Sequence, residues 1–150
     1  SYHTLSRIVK KRLTSILDRL YSEGKYYYHI SLTSRRDILV AEELVKFRKA
    51  HPNVKILLFE ITNYPEHIAG FNDNDVKRYW RVADSADIHV HHPIEYGEDK
   101  LQKLNITFSE SVSTVIAYGD CVSSSYFSNR DLDVRYLLTE REMWPEELNN

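Results

Sequence analysis

Tyr26-Tyr27-Tyr28-His29-Ile30-Ser31-Leu32 reads as a β-strand that stops at Thr33-Ser34-Arg35-Arg36-Asp37 and gives way to the helical pattern Ile38-Leu39-Val40-Ala41-Glu42-Glu43-Leu44. Strand, short polar turn and helix N-terminus form the junction where an open α/β sheet gathers backbone N–H groups and can hold an anion. Two arginines stand in that turn. Upstream, Leu5, Ile8, Val9, Leu13, Ile16, Leu17 and Leu20 recur at helical spacing, and Ser22-Glu23-Gly24 closes the run with a glycine suited to the left-handed C-terminal conformation. Downstream, Ser34-x-x-Asp37 has the form of a capping box or a looser N-cap, and the helix it opens should run to about Ala50, where His51-Pro52-Asn53 breaks it.

Farther along, Val54-Lys55-Ile56-Leu57-Leu58-Phe59 is short, nearly all apolar and bounded by breakers, as expected of a strand buried on both faces of a parallel sheet. Asn72 or Asp73 can cap a helix carrying Val76, Tyr79, Trp80 and Ala83, followed by a strand at Asp87-Ile88-His89-Val90-His91 that Pro93 ends. A helix from about Glu98 to Glu110 leads into a fourth strand, residues 112–118, which stops at Gly119-Asp120. The segment from Asn129 to about Arg141 reads as a closing helix. Strands alternating with helices argue for an α/β fold: a mostly parallel sheet of at least four strands in a three-layer, Rossmann-like arrangement. Ligands of such sheets lie outside the carboxyl ends of the strands, so the turns at 33–37, 60–67, 91–97 and 119–125 are the places to seek a site.

The chain has 150 residues, the size of one domain, and 42% hydrophobic with 28% charged residues fits a soluble globular protein. No run approaches the ~20 consecutive apolar residues of a membrane span, and no secretory signal is visible. Cys121 is the one cysteine, so one chain can build neither a disulfide framework nor a thiolate-rich zinc site, and a reducing compartment, the cytoplasm, is expected. A net charge of −2 argues against an obligate duplex-DNA binder. The sequence opens on Ser1, as a processed chain or a segment of a longer one would.

The order of motifs resembles the SLOG superfamily, the Rossmann-like group that contains the DprA/Smf proteins and the LOG nucleotide hydrolases, and within it the YpsA-like branch. The matching stretches are Arg36-Asp37-Ile38-Leu39-Val40-Ala41-Glu42-Glu43, His51-Pro52-Asn53-Val54-Lys55-Ile56-Leu57, Tyr79-Trp80-Arg81-Val82-Ala83-Asp84-Ser85-Ala86-Asp87, Pro93-Ile94-Glu95-Tyr96, and Leu104-Asn105 leading to Ala117-Tyr118-Gly119-Asp120. They run in the family's order over roughly residues 25–140. The resemblance implies a binding or sensing domain for a nucleotide, a nucleotide-derived small molecule or single-stranded nucleic acid. Arg35 or Arg36 would hold phosphate, Asp37 would face sugar or base, and Asn105 with Ser123, Ser124 and Ser125 would close the opposite side, with Thr33 and Ser34 lining the turn.

The departures matter equally. Family members carry a Gly-rich turn where this chain has Thr33-Ser34-Arg35-Arg36, and a Gly-Gly-Thr type loop where it has Ser123-Ser124-Ser125. Glycine lets a backbone approach phosphate closely, and four glycines in the chain leave both cradles unmade. The LOG catalytic loop is not reproduced at Asp120-Cys121-Val122, so a non-catalytic domain is expected ahead of a nucleotide N-glycosidic hydrolase. The family's first strand has no counterpart in residues 1–24. A third reading is a structural or regulatory interaction domain whose ligand site has decayed, which a Thr33–Asp37 turn filled by its own side chains would favour.

Other constellations have plainer readings. His89 and His91 point the same way on a strand, about 7 Å apart, and would share a metal only with a third ligand such as Glu60, His67 or Asp120. No spacing specific to zinc is present, and packing and hydrogen bonding explain the pair, so neither a metal nor a cofactor is expected. Glu60, Asp87, Glu95 and Asp120 are candidate acids and bases above the sheet, although Asp87 suits a helix-to-strand turn. Cys121 can act as a nucleophile only beside a histidine. Tyr26 and Tyr28 alternate with Tyr27, and both sets are expected against covering helices. Lys10-Lys11-Arg12 is a solvated helix face. An incomplete parallel sheet leaves an edge to cover, and a homo-oligomer is expected.

Overall fold

The computed structural model describes residues 2–60, 70–91, 99–119, 126–139 and 142. The elements follow in the order α1 (Tyr2–Ser22), β1 (Tyr27–Ile30), α2 (Arg35–Ala50), β2 (Lys55–Glu60), α3 (Asp73–Ser85), β3 (Ile88–His91), α4 (Lys100–Ser111), β4 (Thr114–Ala117) and β5 (Asp133–Tyr136). The fold is α/β with parallel sheets, and packing gathers it into two compact units, residues 13–96 and residues 1–12 with 97–150.

In the 13–96 unit, β1, β2 and β3 form a parallel sheet in that order. Tyr27 pairs with Lys55 and Ile30 with Leu58, while Leu58 pairs with His89 and Glu60 with His91. Both crossovers step the same way, and with the usual right-handed connection this lays α2 and α3 on one face. The core agrees: Leu32, Ile38 and Ala41 pack with Leu58 and with Tyr79, Val82 and Ala83 of α3, all buried, and Ile30 joins them. On the central strand Ile56, Leu58 and Phe59 are buried, so its apolar run does mark a strand covered on both faces.

The helix ends follow their chemistry. After α1, Gly24 adopts φ +84°, the Lys25 N–H donates to Leu20 O (2.9 Å) and the Gly24 N–H to Tyr21 O (3.0 Å), a Schellman motif. Ser34 caps α2, Asn72 caps α3 and Asp99 caps α4, each accepting the N–H three residues on.

Tyr27 departs from expectation. It is 78% exposed, not covered by a helix, because it sits at the amino end of β1 opposite exposed Lys55, on the face away from α2 and α3. Tyr26 instead packs on Tyr21, their ring centroids 4.9 Å apart, and Tyr28 donates its hydroxyl to Lys25 O.

In the other unit, β4 pairs in parallel with β5, Val115 opposite Val134 and Ala117 opposite Tyr136. The closing helix expected over 129–141 is therefore corrected: residues 133–136 are a strand. The parallel strands among the described residues fall into sheets of three and two, not one sheet of at least four. Asp131, at φ 59°, turns the chain into β5. Beyond β5, Thr139 and Glu142 exchange the reciprocal bonds of a capping box: the Thr139 N–H donates to Glu142 Oε1 (3.0 Å) and the Glu142 N–H to Thr139 Oγ1 (3.2 Å). Arg12 donates to both Leu137 O and Glu142 Oε1, fastening α1 to this segment.

Candidate functional site

Because β1, β2 and β3 are parallel and adjacent, their carboxyl ends share one rim, and the turn at 31–34, Glu60 and His91 lie along it. At the β1–α2 corner Thr33, Ser34 and Asp37 bond to one another. Asp37 Oδ2 accepts from the Thr33 N–H (2.8 Å) and the Thr33 hydroxyl (2.7 Å), while Ser34 Oγ accepts the Asp37 N–H (3.2 Å). A carboxylate thus stands where a phosphate cradle would present donors. The Ser-x-x-Asp spacing had two meanings, helix cap or anion clamp, and the geometry realises the cap.

Arg35 is drawn to α3. Its Nε lies 3.0 Å from Oδ2 of Asp75, which is 2% exposed, and Arg78 Nη1 meets the other oxygen of Asp75 at 3.2 Å. Arg78 also grips Glu42 of α2 through Nε and Nη2, the latter 2.6 Å from Oε1. Asp75 therefore sits between two guanidiniums, with its own N–H donated to Asn72 Oδ1. A buried carboxylate is tolerable in this setting because both oxygens face cations.

The central strand ends in a second polar group. Glu60 is buried, its Oε1 accepts the hydroxyl of fully buried Tyr79, and its Oε2 lies 3.1 Å from Nε2 of His89, whose side chain is 43% exposed. Alternation explains the meeting: Leu58, Glu60, His89 and His91 project from the same sheet face, and Tyr79 of α3 packs on that face against Leu58. An ionised carboxylate has about four acceptor positions. Among the described residues Glu60 commits two of them, and it stands at the rim where ligands of parallel sheets lie.

Thr33, Ser34 and Asp37 are thus brought together, and Arg35 is carried toward Asp75. Arg36 lies in the first turn of α2, half-buried. Asn105 is buried on α4, in the unit of residues 1–12 and 97–150. Ser123, Ser124 and Ser125 lie outside the described residues, as do His67, Pro93, Glu95, Asp120 and Cys121. Asp75 and Tyr79 were missed as site residues. Asp75 reads from sequence as an ordinary first-turn acid of a helix, and only the crossover that sets α3 beside α2 gives it two arginines. Among the described residues no three His, Cys, Asp or Glu side chains are gathered as a metal cluster, and no helix is long and apolar enough to cross a membrane. No family model matches the chain, and no curated protein matches it significantly. The SLOG resemblance rests on the motifs themselves.

Proposed function

We propose that the chain is a non-catalytic binding or sensing domain of Rossmann-like, SLOG type, taking a nucleotide-derived small molecule at the carboxyl rim of β1, β2 and β3. One observation carries this reading: the central strand of a parallel sheet ends in a buried carboxylate, Glu60, fixed by Tyr79 and His89 and with acceptor capacity to spare. A carboxylate there suits the hydroxyls of a sugar or the amino group of a base. It repels phosphate, so Arg35 and Arg36 of the neighbouring corner are the residues to receive a phosphate, Arg35 by exchanging its contact with Asp75. The same rim would serve a single-stranded nucleic acid through its terminal nucleotide.

Thermal-shift measurement with a panel of nucleosides and nucleotides tests the reading. A ligand at 100 times its Kd stabilises the fold by about 2.7 kcal/mol. Glu60→Gln is expected to reduce the shift for both classes, and Arg35→Ala and Arg36→Ala only for the phosphorylated one. No stabilisation by any compound would sink the proposal and favour a second reading, a regulatory interaction domain with a decayed site. That reading is supported by the Thr33–Asp37 corner, where the Thr33 N–H, the Thr33 hydroxyl and the Asp37 N–H are spent on Asp37 and Ser34.

A further inference from the structure

We infer that the outer face of α3 is a contact between two copies of this chain, their α3 helices antiparallel about a two-fold axis. The face is made by Lys77, Trp80, Arg81 and Asp84, whose spacing i, i+3, i+4, i+7 sets them in one stripe of two helical turns, about 10 Å long. All four are exposed, whereas Asp75, Tyr79, Val82 and Ala83 on the other side of the helix are buried.

Three observations carry the inference. First, Trp80 is 41% exposed in the middle of the stripe, and its ring stands edge-on against buried Tyr79, the centroids 5.1 Å apart and the planes at 88°. An exposed indole braced from beneath is the kind of side chain that anchors an interface. Second, Lys77 and Arg81 set like charges four residues apart, an arrangement that destabilises an isolated helix. Among the described residues neither of them, nor Asp84, has an ion-pair or hydrogen-bond partner.

Third, the order of charges selects the occupant. A uniformly acidic partner suits Lys77 and Arg81 but is repelled by Asp84. The same stripe reversed matches at every position. With the axis between residues 80 and 81, Lys77 faces Asp84 of the partner subunit and Trp80 faces Arg81 of the partner subunit. A two-fold contact repeats each pair, so two ion pairs flank two cation–π contacts. Two helical turns offer less than the ~800 Å2 per partner of a standard interface, so the dimer is weak, with a Kd of about 100 µM. It does not depend on ligand binding at the rim, because Tyr79, which holds Glu60, lies on the buried side of the helix.

Sedimentation equilibrium of the whole chain in low salt, from about 10 µM to 1 mM, tests the contact, and a monomer–dimer equilibrium is expected. Lys77→Glu and Asp84→Lys should each raise Kd roughly tenfold, since each turns two attractions into two repulsions. Trp80→Ala should weaken the dimer as well. An equimolar mixture of the Lys77→Glu and Asp84→Lys chains should recover the wild-type affinity, because each presents the charge that the other needs. The substituted positions are exposed, and circular dichroism verifies the fold. A wild-type chain that stays monomeric throughout the range, a dimer untouched by either charge reversal, or a mixture no tighter than its components would each overturn the contact. So would a monomer that takes up polyglutamate on this stripe, which would assign it to an acidic partner instead.

Discussion

Asp87 joins two strands and a helix end through one carboxylate oxygen. Its Oδ2 accepts the Ile56 N–H at 2.8 Å and Arg48 Nη1 at 2.6 Å, its own N–H donates to Ile56 O, and Arg48 Nη2 reaches Ser85 O. The Ile56 N–H, then Arg48, hold the carboxyl below its ordinary value of 3.8 against the opposing effect of burial. A depressed carboxyl contributes stability that is present above the unfolded value and is lost as pH falls through the lower folded one. Asp87→Asn is therefore expected to cost about 1 kcal/mol in urea denaturation at neutral pH, a modest figure because solvent screens this largely exposed group, and the difference shrinks as pH falls below 3.8 toward the lower folded value. A penalty unchanged at acid pH would contradict this role. Glu142 behaves likewise: Arg12 foremost, then Thr139, hold it down at about 2, so its contribution fades as pH drops from 4.5 through that value. The turn role of Asp87 was legible from its place between a helix and a strand. The role of Glu142 was signalled by Thr139-x-x-Glu142, overlooked because the segment around it was read as a helix already under way.

At the scale of elements, α2 and α3 are locked by charge as well as by apolar packing. Asp75→Ala should leave Arg35 and Arg78 facing each other without their shared anion, at a cost of about 3 kcal/mol by urea denaturation. A loss under about 1 kcal/mol would show that solvent replaces Asp75 freely. The strand–helix alternation through β3 was readable in advance because each signal is local: a cap, a breaker, an apolar run. β5 was not read, although Leu132-Asp133-Val134-Arg135-Tyr136 alternates apolar and polar at the period of two that marks a half-buried strand. Four residues are too few for that period to outweigh a helical count over the longer window. The left-handed turn at Asp131, which resets the chain just before the strand, carries no glycine to announce it.

For the molecule as a whole, the parallel pairing of β1 with β2 and of β2 with β3 brings the arginine corner, Glu60 and His89 to one end of the 13–96 unit. The rim of these three strands was legible because right-handed crossovers leave little freedom in where strand ends fall, whereas β4, expected beside them, pairs with β5 in a separate sheet. Its chemistry was only half legible. A tight polar turn shows in the sequence, but whether its donors face a ligand or their own side chains depends on angles that spacing does not encode. The Glu60–Tyr79–His89 group joins three elements across a register that no local pattern specifies. The most direct test of the account is therefore a map of where a ligand lands: backbone amide chemical shifts recorded by NMR while a nucleoside and its monophosphate are titrated in. The account predicts perturbations gathered at residues 33–37, Glu60, Tyr79 and His89, with the phosphate adding to those at Arg35 and Arg36. Shifts gathered instead at the opposite strand ends, around Tyr26, His51 and Lys55, would contradict it.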